Sequence, residues 1–153
     1  MTPRRLRPGD PDLDRVLALL RGEFAYMDGV VDPPSSIHRA TPDSVAAQAR
    51  DHEVWVIGDP VMACVFLTLK PEVLYLGKLA VAGPARGQGL ARRLTDLAID
   101  RARVLGRPMV ELESRVELAA NHLAFEKMGF LKVGETAHPG YDRPTSYTFR
   151  RTV

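Results

Sequence analysis

Leu79-Ala80-Val81-Ala82-Gly83-Pro84-Ala85-Arg86-Gly87-Gln88-Gly89-Leu90-Ala91 runs from the end of an apolar stretch into a helical pattern. A strand that feeds a helix through a glycine-rich turn leaves the turn's backbone N–H groups at the positive end of the helix dipole, which suits an anion. Gly87 and Gly89 carry no Cβ to hold a phosphate off the backbone, and Arg86 adds a rigid fork of donors. The same glycines also suit a tight connection with no ligand, so a short Gly-x-Gly read alone leaves both uses open. The run lacks the Lys-Ser/Thr of a Walker loop and the third glycine of a dinucleotide fingerprint.

Outward from this turn the chain alternates helix and strand signals. Val73 to Val81 is a long apolar run, and its near-continuous hydrophobicity predicts a strand covered on both faces. Gly77 inside it suggests a bulge. On the other side Leu90, Leu94, Leu97, Ala98 and Leu105 define a long helix stopped by Gly106 and Pro108. A strand over Met109 to Arg115, a helix over Glu117 to Met128 closed by Gly129, and strands near Phe130 to Val133 and Ser146 to Arg150 follow. Toward the N-terminus, Val54 to Ile57 and Val61 to Leu69 flank Gly58-Asp59-Pro60 as a hairpin. Thr41-Pro42-Asp43 caps a short helix over Val45 to Arg50. Leu13, Val16, Leu17, Leu20 and Phe24 mark a first amphipathic helix after a short extended start at Arg4 to Arg7, and residues 26–40 read as loop.

Two stretches carry a family resemblance. Leu79-Ala80-Val81 followed by Arg86-Gly87-Gln88-Gly89-Leu90-Ala91 resembles the acetyl-CoA pyrophosphate motif, Arg/Gln-x-x-Gly-x-Gly/Ala, of the GNAT superfamily of N-acetyltransferases. Asn121-His122-Leu123-Ala124-Phe125-Glu126-Lys127-Met128-Gly129-Phe130 is similar to that family's late helix, which commonly ends Tyr-Glu-Lys-Leu-Gly-Phe. The resemblance implies an α/β (α+β) GNAT fold: one domain over residues 1–153, with a central mixed, mostly antiparallel twisted sheet of six to seven strands flanked by about four helices. It implies acetyl-CoA as acyl donor, with the backbone of Leu79, Ala80 and Val81 pairing with the pantetheine arm like an added strand. Arg86, Gly87, Gln88, Gly89, Leu90 and Ala91 then hold the pyrophosphate, and Asn121 and Phe125 face the cofactor from the late helix. It also implies a V-shaped slot where neighbouring strands splay at a bulge, for which Gly77 is the expected site.

Acetyl transfer to an amine needs the neutral amine, whereas an alkylamine with a pKa near about 10.4 is protonated at neutral pH. Glu111, Glu113 and Arg115 alternate with Val110, Leu112 and Ser114, so two carboxylates and an arginine share one strand face. Either they form a solvated, ion-paired face or one acid serves as base. Leu112-Glu113-Ser114-Arg115 resembles the Leu-Glu-Val-Arg strand of ribosomal-protein N-terminal acetyltransferases in the same family, which points to Glu113, through a water. Phe125 departs from the pattern, because many members have there a tyrosine that protonates the departing thiolate. Leu118 stands where the family's asparagine often sits, so Asn121 is out of register. Substitute acids are Tyr141 or His138 in the stretch Thr136 to Pro144, or Tyr26 in the first long loop; Tyr141 is the catalytic candidate taken with Glu113. That first loop also brings Glu23, Asp28 and Asp32 among Phe24 and Tyr26, a set suited to a cationic amine.

Composition narrows the alternatives. The 153 residues are 45% hydrophobic and 26% charged, enough for one core without disulfide or metal. Twenty-one basic against nineteen acidic residues give +2 with no basic stripe, which argues against nucleic acid. Four dispersed histidines argue against a metal site, and Cys64 in an apolar run reads as core. No stretch approaches the roughly 18 apolar residues of a membrane span, so the expectation is a cytoplasmic enzyme acting on a small-molecule or peptide amine, with a homodimer through the terminal strand as a further expectation. A non-catalytic acyl-CoA-binding regulatory module, and a nucleotide-phosphate binder, remain as rivals.

Overall fold

The computed structural model describes residues 1–153. A seven-stranded sheet runs β1 (Arg4–Arg5), β2 (Glu53–Ile57), β3 (Ala63–Leu69), β4 (Leu74–Val81), β5 (Met109–Arg115), then β7 (Ser146–Thr152) ahead of β6 (Leu131–Thr136). All neighbouring pairs are antiparallel except β4 and β5, which α3 (Leu90–Val104) joins by a crossover. The remaining helices are α1 (Asp12–Glu23), α2 (Pro42–Asp51) and α4 (Ala119–Lys127), and the first long loop contains two short 3-10 turns, Ala25–Met27 and Ser36–Arg39. The expected mixed, mostly antiparallel sheet with four helices is therefore the observed one.

Strand alternation divides the apolar residues between two cores. On one face Val54, Val56, Cys64 and Ala80 pack under Val16, Leu20 and Val45 of α1 and α2. On the other, Val65, Leu67, Leu74, Leu76, Val110 and Leu112 meet Leu94, Ala98 and Ala102 of α3, together with Phe130 and Phe149. Cys64 is fully buried and its thiol is pushed up to about 12 by desolvation, which leaves it an inert core group. Local signals set the helix ends. Thr41 and Ser44 form a reciprocal capping box ahead of Pro42, and Gly106 takes φ +72 beyond the last turn of α3.

Glu53 ties α3 to the sheet. Its carboxylate receives both arms of the Arg101 fork at 2.9 and 2.7 Å and the Trp55 indole N–H at 2.7 Å. Burial alone pushes this carboxyl up, but the bonds from Arg101 and Trp55 outweigh it and hold it below the usual carboxylate range. Replacing Arg101 by Met leaves a buried carboxylate short of its partner and is expected to lower stability by about 2–3 kcal/mol at pH 7. Because Glu53 titrates lower in the folded chain than unfolded, its contribution is complete above its ordinary pKa of about 4.3 and fades as pH falls through the lower folded value. Urea unfolding should thus show a difference between wild type and Arg101→Met that is full near pH 8 and shrinks as acid protonates the variant's unpaired, buried Glu53 and then the wild type's; a difference that widened in acid would contradict the assignment.

Two expectations about β4 need correction. Only Leu74, Leu76 and Ala80 of this strand are buried, because past Tyr75 the β4 edge has no β5 partner and the strand opens on one side. The bulge lies beyond Gly77, which still pairs with Phe66, whereas the next register position joins Cys64 to Ala80. Lys78 takes the strained backbone there, at φ +50, and the Cys64 thiol donates to its carbonyl at 3.7 Å. Gly77 needs no special conformation.

Candidate active site

Beyond the pairs Leu74 with Val110 and Tyr75 with Glu111, β4 and β5 part. The gap widens into a cavity of about 960 Å³ walled by Leu76 to Val81, Leu112 to Arg115, the inner face of α4 and the first long loop. Leu79, Ala80 and Val81 line this gap, where the β4 edge has no β5 partner, and Arg86 and Ala91 line it as well. None of the α4 residues is fully buried: Asn121, Ala124 and Phe125 form a cavity wall, and Phe125 also packs against Phe130 and Phe149.

At the turn into α3, Gly87 and Gly89 adopt φ +81 and +73, and a Cβ on either would meet no protein atom within 4 Å. The left-handed backbone alone selects glycine, and the open space leaves room for a ligand against it. The amides of Gly87, Gln88, Gly89, Leu90 and Ala91 donate to no backbone carbonyl; the first helical bond is from Arg93 N–H to the Gly89 carbonyl at 3.0 Å. A run of unpartnered amides at the positive end of a 15-residue helix fits a pyrophosphate. Arg86 is ion-paired with Glu23, whose other oxygen accepts the Gly83 N–H at 3.0 Å, so a phosphate there competes with an internal carboxylate. Gly87, Gln88 and Gly89 stand exposed outside the cavity wall, and Leu90 turns into the core.

The two strand carboxylates have different fates. Glu111 is buried and paired with Arg150 of β7 at 2.8 Å, so the ion pairing expected on this face is made, with Arg150 as the partner and not Arg115. Glu113 is exposed to the cavity and enters no ion pair. Tyr75 lies close to it, its phenol pushed up to about 12 by burial and by the charge of Glu113, and so stays a neutral hydroxyl. His138 also lines the cavity, its Nδ1 engaged by the Thr145 hydroxyl. Burial and the nearby Arg115 charge lower its pKa, against the pull of Glu113, which keeps the imidazole neutral at pH 7.

Of the two tyrosines expected as substitute acids, the structure brings Tyr26 to the cavity and leaves Tyr141 outside its wall. The Tyr141 hydroxyl donates to Asp32 at 2.6 Å, which binds its proton more firmly. Tyr26 reaches α4 from the first loop and accepts a bond from Asn121 Nδ2 at 3.2 Å, one helical turn from Phe125. His122 is structural: its Nε2 bonds the Arg115 carbonyl at 2.8 Å and its ring packs on Tyr147 and Phe149. The first-loop acids expected to attract a cationic amine are paired: Glu23 with Arg86, Asp28 with His38 at 2.6 Å, and Asp32 with Tyr141 and Arg143. Sequence reading passed over Tyr75, Lys78 and Ser36, all of which line the cavity; a lysine interrupting an apolar strand was the available signal for Lys78.

Comparison with known proteins agrees with this architecture. The family model described as "Acetyltransferase (GNAT) family" matches residues 14–130. A 59-residue stretch is 37% identical to N-alpha-acetyltransferase 30 of Saccharomyces cerevisiae; it spans 39% of this chain but only about a third, 34%, of that relative. Among solved structures, smu.2055 from Streptococcus mutans UA159 superposes with a TM-score of 0.78 at 15% identity, over 99% of each chain. N-acetylglutamate synthase from Neisseria gonorrhoeae, solved with coenzyme A and N-acetyl-glutamate, gives 0.71 at 17% identity over 99% of this chain and 35% of that one. At such identities the likeness is one of fold. No helix is long and apolar enough to cross a membrane.

Proposed function

The chain belongs to the acetyltransferase (GNAT) family, and on that premise we propose that it is a single-domain enzyme, over residues 1–153, that moves the acetyl group of acetyl-CoA to a primary amine by direct transfer in a ternary complex. The observation carrying this reading is the run of unpartnered amides from Gly87 to Ala91 at the head of α3, flanked by Arg86 and Ala91, which line the gap between β4 and β5. Coenzyme A bound to a neighbour of the same fold supports it.

Acetyl-CoA supplies an activated thioester. The amides of Gly87 to Ala91 at the head of α3 hold its pyrophosphate, and the unpaired β4 edge at Leu79 to Val81 holds the pantetheine. Backbone amides of β4 also polarise the thioester carbonyl. Glu113 accepts the proton of the acceptor ammonium, through a water, and the neutral amine attacks the carbonyl carbon. The new C–N bond forms as the C–S bond breaks, and the thiolate takes a proton from the Tyr26 hydroxyl, which Asn121 orients. The second proton lost by the attacking nitrogen passes through water to restore that hydroxyl, while Glu113 releases its own proton to solvent. Tyr26 thus fills from a loop the place that Phe125 leaves without a proton.

A saturating dose of acetyl-CoA, at about a hundred times its Kd, adds about 2.7 kcal/mol to folding stability, or roughly 5–10 °C in Tm for a chain of this size. Free thiol release on adding an amine panel then separates an enzyme from a non-catalytic acyl-CoA module, which would show the thermal shift without thiol. ATP or NAD producing the larger shift would instead favour a nucleotide binder. Tyr26→Phe is expected to lower kcat by about tenfold, below the usual general-acid effect because a thiolate is a tolerable leaving group, with the acetyl-CoA thermal shift retained. Tyr141→Phe is expected to change kcat less than twofold; the reverse ranking would return the acid role to Tyr141.

A further inference from the structure

The acceptor end of the cavity is built for negative charge. With Glu23 and Arg86 paired at the pyrophosphate end, the remaining ionised side chains on the wall are Lys78, Glu113 and Arg115. Neither cation has a carboxylate partner. Arg115 donates to the carbonyls of Pro33 and Pro34 at 2.7 and 3.0 Å, and the Lys78 ammonium donates to the Ser36 hydroxyl. One stretch of the first loop thus grips both side chains through neutral acceptors, which orient their charges without cancelling them. Burial depresses the Lys78 ammonium, and the charges of Arg39 and Arg115 add to it. Burial and Arg39 act on Arg115 in the same sense, with Glu117, Tyr141 and Asp32 opposing. The net direction is downward for both cations, led by burial, and neither makes an ion pair with a carboxylate.

We propose that the acceptor amine carries a carboxylate, which Lys78 and Arg115 hold while the amine is presented to Glu113. This names the substrate class of the acetyltransfer reading and rests on it. On the wall itself Lys78 and Arg115 outnumber the one carboxylate, Glu113, so an anionic acceptor group is favoured there. The strained backbone at Lys78 has a purpose on this reading, since at the β3–β4 bulge this side chain reaches the first loop and donates to Ser36. The carboxylate belongs either to a free amino acid or to an acidic peptide N-terminus.

Matched acceptors decide between these sources: alanine against alaninamide, γ-aminobutyrate against butylamine, and Asp-Ala-Ala amide against Asn-Ala-Ala amide. In at least one pair kcat/KM should favour the acid by about tenfold or more, as expected for a charge-assisted bidentate contact, and the pair that responds locates the carboxylate. Lys78→Asn, chosen because Asn tolerates a left-handed backbone, and Arg115→Met should each shrink that preference. A persisting acetyl-CoA thermal shift certifies that the variants fold. A second readout needs no turnover: with coenzyme A present, N-acetylalanine should raise Tm and N-acetylalanine amide should not. Equal or better service of every uncharged member, or equal protection by the two products, overturns the carboxylate while leaving acetyltransfer in place. Loss of the acetyl-CoA thermal shift in the wild type would instead sink the reading beneath it.

Discussion

Glu113→Gln is expected to lower kcat/KM for an alkylamine by about 10³ at pH 7, within the usual range for removing a general base. Gln keeps the shape of the side chain and the strand pairing of β5 with β7, so the change removes a proton acceptor and little else. With a pKa near 10.4, about one alkylamine in 2,000–3,000 is neutral at pH 7, and a variant without a base must wait for that form. An α-amine with a pKa near 8 is neutral in roughly one molecule in ten. The deficit should therefore be near tenfold for an α-amine and far larger for an alkylamine, and in both cases it should shrink about tenfold per pH unit until the amine's own pKa is reached. The acetyl-CoA thermal shift should be unchanged, since Glu113 lies away from the head of α3. A variant whose rate stays within twofold of wild type, with a parallel pH profile, would remove Glu113 from the mechanism and leave the neutral His138 imidazole as the base to examine next.

Why the exposed place of Glu113 on β5 could be read in advance, while the choice between Tyr26 and Tyr141 could not, follows from the range of the signals. Alternation along β5 and the glycine punctuation at Gly87 and Gly89 are written in neighbouring residues, and the elements around them appear within a few positions of where the pattern puts them. The limits of α4 moved inward from Glu117 to Ala119 because Leu118 takes the cap, and Phe130 left its expected strand to enter the core. Roles that depend on what a distant segment supplies were not legible. Arg150 claims Glu111 through the β5–β7 register, Asp32 claims Tyr141 from 109 residues away, and Asn121 selects Tyr26 from 95 residues away. Composition suggested that the first-loop acids attract a cation, but each found an internal partner. Lys78 escaped notice because a strand pattern treats a single lysine as noise, whereas the bulge beside it reverses the direction a side chain takes.

The sharpest discrimination between a cofactor loop and a merely tight turn comes from Gly89. At φ +73 a β-branched residue meets a backbone cost of about 1–2 kcal/mol, so Gly89→Val should lower Tm by several degrees with no ligand present. No protein atom lies within 4 Å of the new Cβ, so this cost is conformational and not a clash. Acetyl-CoA affinity should fall further, by about 10²-fold, because the side chain stands where phosphate oxygens approach and relaxation of the turn carries the Leu90 and Ala91 amides off the α3 axis. Loss of one or two charge-assisted hydrogen bonds, at about 1.5–3 kcal/mol each, accounts for that factor. Gly89→Asn separates the two costs, since Asn accepts the left-handed backbone but keeps a Cβ. If phosphate rests against the backbone, Asn restores the Tm of the ligand-free protein and leaves the affinity deficit largely in place. If Asn restores both, glycine is there only to turn the chain, and the pyrophosphate must be held elsewhere.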